Sequence, residues 1–265
     1  MIKAAVLGSP ISHSLSPLLH RRAYEILGIP ASYDAILCDE GDFPDFLKKI
    51  ADQNWTGFSL TMPLKEVAIS YLSEIDPASA KIDSINTLVQ QPTGWFGIST
   101  DRLAFANLLK DYNFSNVAII GGGGTARAAL GALDGKCGEM DILLRNPDRA
   151  EKLSSCLTSS RINIFDMKHD LAKYDLVIAT VPMGASDLVT IDASSVSGLL
   201  LEALYRPWPT KLVERWEIAG GNVISGLDLL VEQALFQIEL FSKVKFDFDA
   251  MRMELLQVGH RALAL

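Results

Sequence analysis

Short apolar segments alternate with amphipathic segments in the first part of the chain. Runs of strand length occur at 2–7, 33–38, 57–61 and 85–89. Helical patterns between these runs cover Pro17–Leu27, Phe43–Ala51 and Leu64–Leu72. Because strands that alternate with helices are typical of a mainly parallel sheet, residues 1–100 are predicted to form an α/β domain.

A second alternating series begins after Asn116. It consists of a strand at 117–120, a glycine run, a helix at Ala126–Leu133, a strand at 140–144, a helix at Asp148–Leu157 and a strand at 175–180. This βαβαβ order is typical of mononucleotide-binding sheets. Residues 101–225 are therefore predicted to form a Rossmann-like, doubly wound domain.

The last part of the chain has a helical pattern. Apolar residues share one face of this pattern, namely Leu227, Leu230, Val231, Ala234, Leu235, Ile238 and Phe241. A second helix is predicted at Ala250–Leu265. We expect the C-terminal helices (226–265) to pack back on the first domain, and we expect ligands to bind in a cleft between the two domains.

Composition and charge exclude several classes of protein. The chain has 265 residues, of which 49% are hydrophobic, and its formal net charge is -8. This balance indicates a globular protein and disfavours binding to nucleic acid or to an anionic membrane. The three cysteines, at 38, 137 and 156, are too widely spaced for a zinc site or a disulfide framework, so no metal is expected. The N-terminus lacks a signal-peptide core, and we expect a cytoplasmic protein.

The glycine run between the predicted strand and helix is the first candidate site. Gly121, Gly123 and Ala126 satisfy the pattern G-x-G-x-x-A, and Gly122, Gly124 and Thr125 complete the loop. Such a loop allows backbone N–H groups at a helix N-terminus to approach a pyrophosphate closely. The pattern favours dinucleotide binding over a flexible connection. A P-loop is excluded because no G-K-[ST] sequence follows.

The residues after the second strand of this domain distinguish between cofactors. An acidic residue there would bind the ribose 2'-hydroxyl of NAD, but the sequence has Arg145, Asn146 and, four residues after Arg145, Arg149. Arginine forms charge-assisted hydrogen bonds with phosphate, so NADP is favoured. The alternative is that both arginines are solvated at the start of a helix.

The first domain offers hydroxyl groups and a lysine–aspartate pair. Ser14 and Ser16 lie in the loop before the first helix, where they could bind a carboxylate, although Ser16 taken alone has the position of a helix N-cap. Lys65 is electrostatically unfavourable near a helix N-terminus unless an acid or a substrate oxygen pairs with it. With Asp101 it could deliver a proton to a developing alkoxide, and the alternative is that both are surface charges.

Taken together, these segments resemble the shikimate dehydrogenase family over nearly the whole chain. The resemblance is carried by GSPISHSLSPLLH (8–20), SLTMPLKE (59–66), INTL (85–88), STD (99–101), IGGGGTARAAL (120–130), LRNPDRA (144–150), ALYRPWPT (203–210) and SGLDLLVEQA (225–234). It implies reversible NADPH-dependent reduction of 3-dehydroshikimate to shikimate, a step in aromatic amino acid biosynthesis.

The resemblance also implies roles for individual residues. Lys65 and Asp101 match the catalytic pair of the family, and Ser14 and Ser16 match the serines that bind the substrate carboxylate. The remaining matches to substrate-pocket positions are Thr61, Asn86, Tyr205 and Gln233. Cofactor contacts are expected at Gly121, Gly122, Gly123, Gly124, Thr125, Ala126, Arg145, Asn146, Arg149, Met183 and Gly226.

Some positions depart from the family pattern, and some alternatives stay open. Ser99 and Arg102 stand where the family has asparagine and glycine, and Ala179 replaces the family's usual asparagine. The resemblance implies that Met183 lies near the nicotinamide. The alternative functions are a sister enzyme acting on quinate or an aminoshikimate, and an NADP-binding sensor without catalytic activity. The protein could be a monomer or a homodimer.

Overall fold

The computed structural model describes residues 1–192 and 195–264. The chain forms two compact units, Met1–Ala104 with Leu230–Leu265, and Phe105–Leu229. Their boundaries lie inside two helices, Thr100–Leu108 and Gly226–Ser242, whereas the sequence places its domain boundaries where these helices begin. The division into a substrate domain and a cofactor domain stays a prediction.

The first unit is built on a six-stranded sheet with the spatial order β2-β1-β3-β5-β6-β4. The strands are β1 (Ile2–Gly8), β2 (Ala31–Leu37), β3 (Gly57–Leu60), β4 (Glu74–Ile75), β5 (Thr87–Gln91) and β6 (Gly94–Ile98). Strand β5 runs antiparallel to both of its neighbours, and the other pairs are parallel. The sequence pattern did not predict β4, which has only two residues, or β6, whose glycines are unfavourable in strands.

The second unit contains an entirely parallel sheet with the spatial order β12-β11-β10-β7-β8-β9. The strands are β7 (Val117–Ile120), β8 (Glu139–Leu143), β9 (Arg161–Phe165), β10 (Leu176–Ala179), β11 (Leu199–Glu202) and β12 (Asn222–Ile224). Read from β9, this order is the 3-2-1-4-5-6 arrangement of the Rossmann fold, so the predicted doubly wound sheet is confirmed. The predicted βαβαβ series omitted β9, whose residues are mostly exposed and give a weak apolar signal. The series ended with β10, so β11 and β12 were not predicted either.

Helices flank both sheets. Within the described residues they are α1 (Ser16–Ile26), α2 (Phe43–Ile50), α3 (Leu64–Val67), α4 (Pro77–Lys81), α5 (Thr100–Leu108), α6 (Gly124–Leu133), α7 (Ala150–Ser154), α8 (Lys211–Ile218), α9 (Gly226–Ser242) and α10 (Phe248–Leu263). The predicted helix at Leu64–Leu72 is divided into α3 and a 3-10 turn at Ala68–Tyr71. No helix of the described ranges combines the length and the apolar character needed to cross a bilayer.

The start of α1 differs from the capping interpretation of Ser16. The N-cap residue is Leu15, and Ser16 is the first residue of the helix. The backbone N–H of Ser16 donates a hydrogen bond to Oγ of Ser14 (3.3 Å). Ser14 therefore satisfies a donor at this helix start, and the expectation that Ser16 is the N-cap is wrong.

Helices α9 and α10 contribute to the first unit. Helix α10 packs against α1, and Arg22 of α1 forms an ion pair with Glu254 of α10 (Nη2–Oε2 3.3 Å). The predicted apolar face of α9 is buried apart from Leu230, which is half-buried. The polar residues Glu232 and Gln237 of α9 are also buried, which the apolar periodicity did not predict.

A buried histidine lies at the centre of the first unit. His20 of α1 is 0% exposed, and its ring stacks on the ring of Tyr33 with a centroid distance of 3.9 Å. Its ring nitrogens contact Tyr24 Oη (3.2 Å) and Gln237 Oε1 (3.1 Å). Burial lowers the pKa of His20 to about 3, although the hydrogen bond to Gln237 opposes this shift. His20 is therefore neutral in the folded protein at ordinary pH.

We expect this histidine to make the protein less stable in acid. Since the folded-state pKa lies below the unfolded value of 6.5, His20 binds a proton on unfolding at any pH between about 3 and 6.5. The free energy of unfolding should therefore fall with decreasing pH in this window, with a His20 contribution of at most about 1.4 kcal/mol per pH unit. Urea unfolding between pH 7 and pH 5 measures this slope.

The matched variants are His20→Phe, which keeps a ring to stack on Tyr33, and His260→Phe at an exposed position of α10. The slope should decrease in His20→Phe and stay at its wild-type value in His260→Phe. An equal slope in the wild type and in His20→Phe would contradict the assignment of a neutral His20.

Candidate active site

The topology of the first sheet brings distant segments to one edge. The parallel strands β1 and β3 end side by side, with Leu7 opposite Leu60. Strand β5 runs in the opposite direction, with Thr87 opposite Ser59 on one side and Ile98 on the other. The start of β5 therefore lies at the same edge as the ends of β3 and β6. For this reason residues after β3, before β5 and after β6 can meet.

Lys65 and Asp101 meet at this edge. The Lys65 ammonium donates a hydrogen bond to Oδ2 of Asp101 at 2.6 Å, and the exposed fractions of the two side chains are 17% and 9%. Asp101 lies in the first turn of α5, where the helix dipole favours a carboxylate. Lys65 is the second residue of the single-turn helix α3, and the carboxylate of Asp101 compensates its charge. The alternative that both residues are surface charges is not what the structure shows.

Asn86 fixes the other oxygen of the aspartate. Its Nδ2 donates to Oδ1 of Asp101 (2.9 Å) and to Oε1 of Gln233 (3.3 Å). Its Oδ1 accepts a hydrogen bond from the backbone N–H of Thr100 (2.6 Å). Asn86 and Gln233 are 2% and 7% exposed, so the group is shielded from water on this side. The structure therefore joins four of the predicted site residues by direct hydrogen bonds, namely Lys65, Asn86, Asp101 and Gln233.

Ser99, which stands where the family has asparagine, still caps the helix that carries Asp101. It precedes α5, and its Oγ accepts a hydrogen bond from the N–H of Arg102 (3.3 Å). Its own N–H donates to Oγ of Ser79 (2.8 Å). Serine is as good an N-cap as asparagine, so the start of the helix that carries Asp101 is still capped.

The remaining predicted substrate residues of this unit follow neighbouring strands. Ser14 and Ser16 lie after β1, and Thr61 follows β3. Gly8, at the end of β1, allows the chain to pass close to Thr61, because a Cβ on Gly8 would lie 2.3 Å from Cγ2 of Thr61. Their contact with a substrate carboxylate or hydroxyl stays a prediction.

The glycine loop of the second unit has the backbone expected of a phosphate cradle. Gly121 has a φ of +116°, and a Cβ there would lie 2.6 Å from Oγ1 of Thr180. Gly123 is the N-cap of α6, and the space beside its Cα is open. Gly124 and Thr125 begin the helix, and Ala126, the next residue of the helix, is buried. The first turn of α6 therefore faces an open space, as a bound phosphate requires.

The arginines after β8 are exposed, and Arg149 lies beside this loop. A Cβ on Gly122 would lie 3.3 Å from Cδ of Arg149, so the stem of Arg149 borders the glycine loop. Arg145 is exposed, and within the described parts of the chain neither arginine forms an ion pair. Oδ1 of Asn146 accepts a hydrogen bond from the N–H of Asp148 (3.0 Å) and so shapes the turn between them. Both guanidinium groups are thus available for an anion.

Three other predicted residues lie in loops or at a helix start of the second unit. Met183, after β10, is 69% exposed. Gly226 begins α9, where a Cβ would lie 2.4 Å from the carbonyl of Leu204, so it has a packing role there. Tyr205 lies in the loop after β11. The buried carboxylate of Glu202 anchors this loop, because it accepts hydrogen bonds from the Leu204 N–H (3.1 Å) and the Thr210 hydroxyl (3.0 Å). Cofactor or substrate contacts of these residues stay predictions.

Burial also affects the anchoring carboxylate itself. Desolvation raises the pKa of Glu202, and the hydrogen bonds from Leu204 and Thr210 oppose this effect.

Sequence reasoning missed several buried polar residues that are joined by hydrogen bonds to Asn86, either directly or through one another. They are His20, Ser59, Thr87, Thr100 and Gln237, all at most 4% exposed. A signal for Gln237 was present, because it lies four residues after Gln233 and therefore on the same side of α9. Its partners are distant in sequence, so the signal could not be interpreted from the pattern.

Comparison with known proteins identifies related chains. Residues 6–88 match the family described as shikimate dehydrogenase substrate binding domain. A curated relative from Staphylococcus aureus, named shikimate dehydrogenase (NADP(+)), is 28% identical over 97% of this chain and 98% of its own length.

Two solved structures resemble the whole chain. Shikimate dehydrogenase of Mycobacterium tuberculosis is 33% identical and has a TM-score of 0.84 over 97% of this chain and 99% of its own. Shikimate 5-dehydrogenase of Thermus thermophilus, solved in complex with NADP(H) and shikimate, is 28% identical and has a TM-score of 0.84 over 99% and 100% of the two chains. With the Lys65–Asp101 pair and the glycine loop in place, these matches show that the chain belongs to the shikimate dehydrogenase family.

Proposed function

We propose that this protein is an NADP-dependent shikimate dehydrogenase that catalyses the reversible reduction of 3-dehydroshikimate to shikimate. The observation that carries the proposal is the Lys65–Asp101 pair in a chain of this family. Asn86 donates hydrogen bonds both to Asp101 and to Gln233. The names of the relatives support the same substrate and cofactor.

Lys65 is the group that exchanges a proton in this proposal. Reduction of the ketone places negative charge on its oxygen, and the Lys65 ammonium donates a proton to that oxygen. In the reverse direction the neutral amine accepts the proton from the hydroxyl. Asp101 orients the amine through the hydrogen bond at 2.6 Å and accepts a hydrogen bond from Asn86 on its other oxygen. The pair is largely shielded from water, which strengthens its interaction with a substrate oxygen.

NADP fits the second unit. The positive φ of Gly121, which glycine adopts readily, and the open space beside Gly123 suit a pyrophosphate at the start of α6. Arg145 and Arg149 would bind the 2'-phosphate by charge-assisted hydrogen bonds. When bound, NADPH supplies the hydride. Contacts with Gly122, Gly124, Thr125, Ala126, Asn146, Met183 and Gly226 belong to the same proposal.

The substrate requires a set of polar contacts. We assign its carboxylate to Ser14 and Ser16, and its hydroxyl groups to Thr61, Asn86, Tyr205 and Gln233. A site built to hydrogen-bond each hydroxyl discriminates against analogues that lack one, because a buried polar group would then lose its partner.

A cytoplasmic location and a monomer or homodimer complete the proposal. All three cysteines are free and buried, which supports a reducing environment.

A steady-state assay tests the function directly. Purified protein is given shikimate or quinate with NADP or NAD, and the reduced nicotinamide is followed by its absorbance. We expect the highest kcat/KM with shikimate and NADP. Binding of NADPH without turnover of any pair would support the sensor, and a preference for quinate or NAD would support the sister enzyme.

Replacing the lysine tests the proton transfer. Lys65→Ala should lower kcat by about 10²-fold or more, the usual scale of lost general acid–base catalysis, and should leave the affinity for NADP nearly unchanged. The control is Lys81→Ala, at an exposed position of α4. Unchanged turnover in Lys65→Ala would remove this residue from the mechanism.

Replacing the first arginine tests the recognition of the 2'-phosphate. Arg145→Ala should raise KM for NADP more than KM for NAD, because the lost contact exists only with the phosphate. Arg161→Ala, at the exposed start of β9, is the matched control. Equal effects of Arg145→Ala on the two cofactors would place the recognition of the phosphate elsewhere.

A further inference from the structure

The amide of Gln237 lies at the centre of a buried polar cluster. Its Oε1 contacts Ser59 Oγ (2.7 Å) and His20 Nε2 (3.1 Å). Its Nε2 contacts Thr87 Oγ1 (2.9 Å) and the backbone oxygen of Asn86 (3.3 Å). Two donors and two acceptors are the full capacity of a glutamine amide, so this side chain is satisfied and 1% exposed.

The backbone oxygen of Asn86 determines the orientation of this amide. A carbonyl oxygen can only accept a hydrogen bond, so the group of Gln237 that faces it must be Nε2. Oε1 then faces His20, whose Nε2 must carry the hydrogen and donate it. The other ring nitrogen, Nδ1, accepts from the hydroxyl of Tyr24. One carbonyl therefore fixes both the amide orientation and the tautomer of the histidine.

A path of hydrogen bonds, each donated in the direction of Asp101, begins at Tyr33. The hydroxyl of Tyr33 donates to Ser59 Oγ at 2.6 Å, and Ser59 donates to Gln237. Thr87 accepts from Gln237, so its own hydrogen is available for Oγ1 of Thr100 (3.0 Å) or Oδ1 of Asn86 (3.2 Å).

The last steps of this chain of hydrogen bonds reach the carboxylate. Thr100 Oγ1 donates to Asn86 Oδ1 (3.1 Å), and Asn86 Nδ2 donates to Asp101 Oδ1 (2.9 Å). One donor of each residue on this path points towards the negative charge, and Nδ2 of Asn86 also contacts Thr100 Oγ1 (2.9 Å) and Gln233 Oε1 (3.3 Å). Hydrogen bonds that follow one another in one direction polarise and strengthen one another.

We propose that Gln237 is a positioning residue: acting through Thr87, it holds the Asn86 amide in the orientation that aligns Asp101 and, with it, Lys65. The inference rests on the proposed function. None of the hydrogen bonds described for Gln237 involves Lys65 or Asp101. Its effect comes from holding Thr87 and the backbone of Asn86, so that the Asn86 amide cannot rotate without breaking hydrogen bonds at both of its ends.

The sensitivity of the reaction to this alignment sets the expected effect. A displacement of about 1 Å in a catalytic group can lower a rate by about 10²-fold. Loss of Gln237 removes a support of the alignment and leaves the direct Asn86–Asp101 hydrogen bond, so we expect about a 10-fold fall in kcat. Binding of NADP involves the second unit and should not change.

The first test compares two glutamines of the first unit. Gln237→Met is the test variant, because methionine has about the length of glutamine but cannot form the hydrogen bonds of the amide. Gln90→Met, at an exposed position of β5, is the control. For Gln237→Met we expect kcat for shikimate oxidation to fall about 10-fold, with KM for NADP unchanged and the melting temperature of the variant measured alongside. For Gln90→Met we expect wild-type values. Wild-type kcat in folded Gln237→Met would overturn the proposal.

A second pair of variants separates positioning from stability. Thr87→Val has nearly the shape of threonine but no hydroxyl, and Thr87→Ser keeps the hydroxyl and loses a methyl group. Both should be less stable than the wild type, but only Thr87→Val should lose kcat, so Thr87→Ser should rescue the rate. Equal kcat losses in the two variants would mean that packing at this position controls the rate, and the proposal would be wrong.

Crystal structures of the wild type and of Gln237→Met separate this inference from the proposed function. If the wild type turns over shikimate and Gln237→Met is equally active, the positioning role fails and the function stands. If the wild type has no activity, the proposed function is wrong, and the position of the Asn86 amide in the two crystal structures then tests the positioning role. Rotation of the Asn86 amide away from Asp101 in Gln237→Met would then support the positioning role, and an unchanged Asn86–Asp101 distance would overturn it.

Discussion

The candidate site depends on one hydrogen-bonded ion pair at the edge of the first sheet. The ammonium of Lys65 and the carboxylate of Asp101 are largely buried, and a buried charge is unfavourable unless it is paired and hydrogen-bonded. Asn86 provides the second hydrogen bond to the carboxylate because β5 runs antiparallel to its neighbours and so begins where β3 and β6 end. A fully parallel sheet would place the start of this strand at the opposite edge. The reversed strand is therefore what allows the pair to exist with both of its charged groups satisfied.

The two units use polar groups in different ways. In the first unit, polar side chains from α1, β3, β5 and α9 form a continuous buried cluster, and the neutral His20 is part of it. Such clusters stabilise one arrangement only when every member has a partner, which ties the geometry of the core to that of the ion pair. In the second unit, β7 and β10 are buried along their whole length, and the glycine loop and the exposed arginines after β8 are its candidate groups for an anion. The polar groups of the first unit thus orient the Lys65–Asp101 pair, and the second unit offers backbone N–H groups of the glycine loop to an anion.

Periodicity and local chemistry predicted the features that depend on nearby residues. The glycine loop, α6 and α9 could be predicted because their signals lie within a single stretch of chain. Strands β6 and β9 were missed, since glycines in one and exposed residues in the other weaken the apolar pattern. The lysine–aspartate pair was identified through family resemblance, because spacing alone left open that both were surface charges. Gln237 and His20 could not be interpreted from the sequence, because they lie 217 positions apart and their role depends on direct contact.

The most direct test of the central claim is a crystal structure of the protein with shikimate bound, in which the distance from Lys65 Nζ to the nearest hydroxyl oxygen of the ligand is measured. We expect a hydrogen-bonding distance of about 2.6–3.2 Å, with the Asp101 carboxylate still contacting both Lys65 and Asn86, as the proposed proton transfer requires. A ligand that binds in a well-ordered position with Lys65 turned away from every one of its oxygens would contradict it.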